Sequence, residues 1–149
     1  MQRPIRALLL SAGFGSRLRP LTLNIPKCLV EINKKPIIES WINKLEEINV
    51  EKTLINTHYL HEQVKAFLES LESKKLKIQI EHEIKLLGTA GTLIKNHKFF
   101  FNKTGIMIHS DNFTNMKLFE LLKKHYNRPE NCLITMLTLI LIPQGAVEF

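Results

Sequence analysis

Closely spaced cysteines are missing from this 149-residue chain. Cys28 and Cys132 stand far apart, with no CxxC and no Cys/His ligand spacing, which argues against a structural zinc site and for a reduced, cytoplasmic setting. Long apolar runs are missing too. The N-terminal run over residues 5–12 is interrupted by Arg6, and no cleavage site follows, so it reads as a buried strand rather than a signal peptide. The run over residues 136–142 is too short to span a bilayer, so no membrane partner is expected. Acidic residues are the scarcer sign: 14 Asp+Glu against 21 Lys+Arg leave a net charge of +7, which favours anionic partners without choosing among them. The small basic cluster Lys74-Lys75-Leu76-Lys77 has no interleaved aromatics, as base stacking would require, so nucleic acid is not expected. The six histidines show no metal spacing, and His109, before Ser110-Asp111, is read as a satisfied strand-end residue.

What is present is a regular alternation of short apolar runs and amphipathic stretches, with 44% hydrophobic and 23% charged residues, ordinary for one globular domain. Strands are expected over residues 6–11, 52–57, 76–81, 105–109 and 132–139. Helices are expected over 36–48, 61–71 and 116–126, with a short one over 89–95. Such an order predicts an α/β fold: three layers, an open, mostly parallel Rossmann-like sheet with helices on both faces. Trp41 and Cys28 read as packed core residues, and Asn112, Thr114 or Asn115 as the cap of the last helix.

The first strand runs directly into Ser11-Ala12-Gly13-Phe14-Gly15-Ser16-Arg17. Ligands of open parallel sheets bind beyond the carboxyl ends of the strands, and two glycines there let backbone N–H groups approach an anion closely. The loop is neither a Walker A sequence, since no Gly-Lys-Ser/Thr follows, nor a dinucleotide fingerprint, since Leu18 stands where a third glycine belongs. The segment continues through Leu18-Arg19-Pro20-Leu21-Thr22 to Ile25-Pro26-Lys27-Cys28-Leu29-Val30. Further along stand Leu87-Gly88-Thr89-Ala90-Gly91 and the strand-end pair Ser110-Asp111. Arg17 offers a planar fork for phosphate oxygens, Lys27 a compact charge, and Asp111 a carboxylate suited to Mg²⁺.

Together these residues closely resemble the sugar-phosphate nucleotidylyltransferase signature GxGxRLxPLT…PKxLV, up to about Met136. The resemblance implies the nucleotide-diphospho-sugar transferase fold in part, as the N-terminal portion of a single nucleotidyltransferase domain over 1–149, with an atypical tail over 137–149. It also implies the chemistry, in which a sugar 1-phosphate oxygen attacks the α-phosphorus of an NTP and pyrophosphate leaves. No protein nucleophile is needed; catalysis aligns two anions and neutralises developing charge. The implied catalytic pair is Arg17, on the departing phosphates, and Lys27, near the α-phosphate or the incoming phosphate. The implied nucleotide contacts are Leu10, Ala12, Gly13, Gly15, Ser16, Glu83, Gly88, Thr89 and Ala90, with Asp111 as ligand of Mg²⁺. A carboxylate at Glu83 suits the N1–H and 2-amino donors of guanine, so GTP and a mannose- or heptose-type phosphate are expected. Glu81 competes with Glu83 for this role. Relatives using CTP, UTP or dTTP, or transferring to phosphocholine, are the near alternative, and a nucleotide-binding module with little turnover the more distant one.

The family pattern supplies, after this point, a second lysine in an F-x-E-K-P-like motif and a second metal-binding aspartate. Neither follows Asp111; Gly145-Ala146-Val147-Glu148 reads as a remnant of a later family element, and the run over 139–142 is unusual there. A truncated or split form is therefore expected, binding nucleotide but turning over poorly alone. Homo-oligomerisation through the free sheet edge or the apolar tail would complete it.

Overall fold

The computed structural model describes residues 3–71 and 75–138. Residues 139–149, with the 139–142 run and the Gly145–Glu148 stretch, lie outside the described residues, as does Lys74. The chain forms two compact units, Met1–Asn115 and Met116–Phe149.

The first unit is built on a four-stranded sheet of β1 (Ile5–Leu10), β4 (Lys52–Thr57), β5 (Lys77–His82) and β6 (Thr104–His109). Their order is β5-β4-β1-β6 and every pairing is parallel. Ala7, Leu8 and Leu9 of β1 are fully buried, as continuous apolar strands of a parallel sheet must be. The helix α1 (Ile37–Glu47) buries Ile38, Ile42 and Leu45 completely. The other helices of this unit are α2 (His61–Ser70) and α3 (Gly88–Lys95).

This topology creates the site. From β1 the chain winds outward through β4 to β5, then returns to place β6 on the other side of β1. The winding direction reverses between β1 and β6. A crevice therefore opens beyond their carboxyl ends, at Leu10 and His109, which are direct register partners.

Three expectations are corrected. Pro36 stands at the N-cap of α1 rather than in its first turn, and it also ends a short antiparallel hairpin of β2 (Glu31–Ile32) and β3 (Lys35–Pro36). The hairpin turns on Asn33 and Lys34, both with positive φ (52° and 63°), the geometry of a tight two-residue turn. The last helix, α4 (Leu118–Tyr126), starts two residues later than expected, and its N-cap, Lys117, makes no side-chain cap bond. Most significantly, residues 132–138 form no strand. Leu133, Ile134 and Met136 are 82%, 78% and 73% exposed, and no strand among the described residues pairs with this segment. β-propensity needs a partner edge to become a strand. Within the second unit the segment is tied instead by Arg128, which donates to the carbonyls of His125 and Cys132, and by a 3.1 Å contact between His125 Nδ1 and Thr135 Oγ1.

Candidate functional site

A cavity of about 200 Å³ lies at the crevice between β1 and β6. Its walls come from four sequence-distant segments: Leu10–Gly13 after β1, Lys27–Cys28, Leu86 with Gly88–Thr89 at the start of α3, and His109–Asp111 after β6. Asn56, from β4, also reaches it. Leu10, Ala12, Gly13, Lys27, Gly88, Thr89 and Asp111, all expected at a site, are thus brought to one place. Gly15, Ser16, Arg17, Glu83 and Ala90 are not among the lining residues.

The glycine loop owes its shape to specific contacts. Gly13 has open space where a Cβ would stand. Gly15 sits at φ +65°, the left-handed region that glycine adopts without cost, and its carbonyl accepts from Leu18 N (2.9 Å) and Thr22 Oγ1 (2.7 Å). Residues Ser16–Leu18 then form a single 3₁₀ turn carrying Arg17, which is exposed and has no partner among the described residues. The following loop is pinned by Tyr59, whose hydroxyl lies 3.0 and 2.9 Å from the carbonyls of Thr22 and Leu23. Phe14 packs edge-on to His58 and tilted against Tyr59. Nothing in the glycine motif itself announces Tyr59; it comes from the segment that follows the neighbouring strand β4.

Lys27 lies on a short 3₁₀ turn (Lys27–Leu29), and its Nζ forms an ion pair with Asp111. Both side chains are roughly three-quarters buried, so each charge has traded much of its water for the other. Beside them, Cys28 is 2% exposed; burial is the main force pushing its thiol up to about 12, with a minor opposing contribution from Ser11. It is a packed neutral thiol, as its sequence context suggested. Trp41 is buried as expected, and its Nε1–H also donates to Asn112 O (2.8 Å), fixing the segment that follows Asp111.

Two expectations change here. His109 is exposed and forms part of the cavity wall rather than being satisfied within the strand. Glu83 turns its carboxylate inward and is not among the residues lining the cavity. It is 1% exposed; Oε1 accepts from Asn56 Nδ2 (3.0 Å) and from Thr92 Oγ1, and Oε2 accepts from Leu87 N (3.0 Å). Burial alone would raise its pKa, but the donors Thr92, Asn56 and Leu87, with the charge of Lys95, outweigh that and hold it below the ordinary value. Glu81, the competing candidate, pairs with Lys95 at 2.6 Å.

Asn56 was not singled out by sequence reasoning. Its Oδ1 accepts the Ser11 amide (2.8 Å), and Ser11 Oγ donates to Ser110 Oγ (2.8 Å), which in turn donates to Leu10 O (2.8 Å). A usable signal existed: Asn56 is a polar residue at the end of the apolar run Leu54-Ile55, where a buried amide must have partners.

Among the described residues no three His, Cys, Asp or Glu side chains group as a metal site. Asp111 is the one carboxylate among the residues lining the cavity, beside the neutral side chains of Ser11, Asn56, Thr89 and Ser110. That suits Mg²⁺, which is commonly held by one or two carboxylates with phosphate and water completing its shell. No helix among the described residues is long and apolar enough to cross a membrane.

Comparison with known proteins bears directly on this arrangement. The sequence pattern of the family described as nucleotidyl transferase matches residues 6–144. A probable mannose-1-phosphate guanylyltransferase of Oryza sativa is 37% identical over 125 residues, covering 81% of this chain and 35% of that protein. Among solved structures, the CTP:phosphocholine cytidylyltransferase of Streptococcus pneumoniae is 31% identical with a TM-score of 0.64, over 78% of this chain and 49% of that one. A putative glucose-1-phosphate thymidylyltransferase of Bacillus anthracis is 25% identical with a TM-score of 0.75, over 83% and 50%. The chain spans about a third of the length of the curated relatives it matches, 35% for the rice protein.

Proposed function

Since the chain belongs to the nucleotidyl transferase family, we propose that it supplies the nucleoside-triphosphate half of a site that moves an NMP unit from an NTP to a sugar 1-phosphate. The bond that forms joins the sugar-phosphate oxygen to the α-phosphorus; the bond that breaks joins the α-phosphorus to the bridging oxygen, and pyrophosphate leaves. The observation that carries this reading is the convergence in one cavity of an open glycine loop at Gly13, an α3 start at Gly88 with no side-chain cap bond, and the Lys27–Asp111 pair.

The roles follow from that geometry. Backbone N–H groups around Gly13 cradle phosphate oxygens, because no side chain blocks the approach. The uncapped N–H groups at the start of α3 favour further negative charge. Lys27 neutralises charge at the α-phosphate or the incoming phosphate. Arg17, exposed one turn beyond the glycines, closes on the departing β- and γ-phosphates; no internal contact has to break first. Asp111 is the residue that would hold Mg²⁺, which when bound offsets the charge of the triphosphate. Ala12 and Gly15 shape the loop, while Leu10, Thr89 and Ala90 border the nucleoside.

GTP and mannose 1-phosphate are the proposed substrate pair. With the Glu83 carboxylate turned inward, support for guanine comes from likeness to the mannose-1-phosphate guanylyltransferases. Melting temperature measured with each NTP plus Mg²⁺, followed by pyrophosphate release with a panel of sugar 1-phosphates, tests the reading. GTP should stabilise most. A chain that no NTP stabilises would sink the proposal.

A further inference from the structure

We propose that Glu83 is a positioning residue that locks the two walls of the nucleotide cavity together and takes no part in reading the base; this rests on the nucleotide reading above. Among the described acidic residues it alone is buried. Each of its hydrogen-bonding atoms is engaged. Besides the three donors on its carboxylate, its N–H donates to Thr57 O (2.8 Å) and its carbonyl lies 2.6 Å from His58 Nδ1.

The network has a direction. The Ser11 amide, at the mouth of the glycine loop, needs an acceptor and finds Asn56 Oδ1. That orients the Asn56 amide, so its NH₂ must face Thr92 and Glu83 (3.2 and 3.0 Å). Thr92 accepts from Asn56 and passes its own proton toward Glu83. Leu87 N–H, immediately before the start of α3, completes the set. Three donors converge on one side chain and no acceptor does, so only a carboxylate fits. One branch runs through Asn56 to Ser11, on the β1 wall. The other runs through Leu87 and Thr92 to α3, whose first residues form the opposite wall. Asn56 and Ser11 line the cavity and Glu83 does not, so Glu83 acts through them.

Glu83→Gln tests this at nearly constant volume, since it puts an NH₂ where a donor already points. Two measurements are made on the whole chain: amide hydrogen exchange, and affinity for GTP, UTP, CTP and dTTP. Exchange at Ser11 and Leu87 should accelerate while Leu8, in the middle of β1, keeps its rate. All four affinities should fall by one common factor, about tenfold for a disrupted charge-assisted network. A change in base preference would mean that Glu83 reads the base, and unchanged exchange at Ser11 and Leu87 would mean that the lock does not exist; either overturns the inference. Wild-type protein that binds no NTP would instead sink the nucleotide reading, while the exchange rates still judge the network. Should Glu83→Gln fail to fold, Thr92→Val removes one donor and Thr92→Ser keeps it. Uniform weakening by the first and recovery by the second support the lock, and wild-type affinity in Thr92→Val overturns it.

Discussion

Gly13 and Gly15 stand two residues apart in one loop, and replacing each by alanine should have opposite consequences. At Gly15 the backbone is left-handed, which costs a residue with a Cβ about 1–2 kcal/mol. The new Cβ would also stand 3.0 Å from Thr22 Cγ2 and 3.2 Å from Lys27 Cβ. Thr22 is fully buried and tied to the Gly15 carbonyl, so it cannot retreat cheaply; such overpacking costs about 1–3 kcal/mol. Alanine stiffens the unfolded chain and returns up to about 1 kcal/mol. The net loss is about 2–4 kcal/mol, a fall in melting temperature of roughly 5–12 °C for a chain of this size. At Gly13 nothing lies within 4 Å of the added Cβ and the backbone is not left-handed, so stability should hold within about 0.5 kcal/mol. Yet that Cβ would occupy the space through which phosphate oxygens approach the backbone, and NTP affinity should fall by about tenfold or more. Thermal denaturation with and without GTP and Mg²⁺ reads both effects. A Gly15→Ala chain as stable as wild type, or a Gly13→Ala chain with undiminished NTP stabilisation, would refute the assignment of these glycines.

Arg17→Ala should leave the melting temperature of the free protein unchanged, since Arg17 has no partner among the described residues, and weaken NTP binding by about ten- to a hundredfold in titration calorimetry. Asp111→Asn should remove the Mg²⁺-dependent part of nucleotide affinity while tightening binding in the presence of a chelator, because a negative charge leaves the cavity and Lys27 is released; equal Mg²⁺ response in both proteins would count against Asp111 as the metal residue. Tyr59→Phe should lose about 1 kcal/mol in denaturant titration and expose residues 20–25 to limited proteolysis, since the hydroxyl holds the carbonyls of Thr22 and Leu23. Glu51, bonded to Arg6 and Lys103, is drawn from its ordinary 4.5 to about 2; a depressed carboxylate stabilises the fold above 4.5 and loses that contribution as pH falls toward 2, so Glu51→Gln should flatten the stability profile across that window.

Much of the cavity's lining was legible in the linear order because its signals are local. Residues 11–30 are nearly contiguous, and a glycine loop leaving an apolar strand needs no distant partner to be recognised. The parallel sheet followed from the strand–helix alternation, and Asp111 from its place at a strand's end. Tail residues 132–138 misled because strand-like composition says nothing about whether an edge is there to pair with. The β2–β3 hairpin was missed because Asn33-Lys34 is not among the usual tight-turn pairs, though both residues take positive φ.

The sequence by itself therefore determined which residue types are available: loop glycines, two cations and a strand-end carboxylate, each following from local composition. Tertiary structure alone decided which of them meet. The reversal of winding between β1 and β6 brings Lys27 to Asp111 across 84 positions and Ser11 to Ser110 across 99. It also turned Glu83 from the cavity toward Asn56, Thr92 and Leu87, because a buried carboxylate must satisfy its oxygens where donors converge, and that convergence exists only once β4, β5 and α3 have packed.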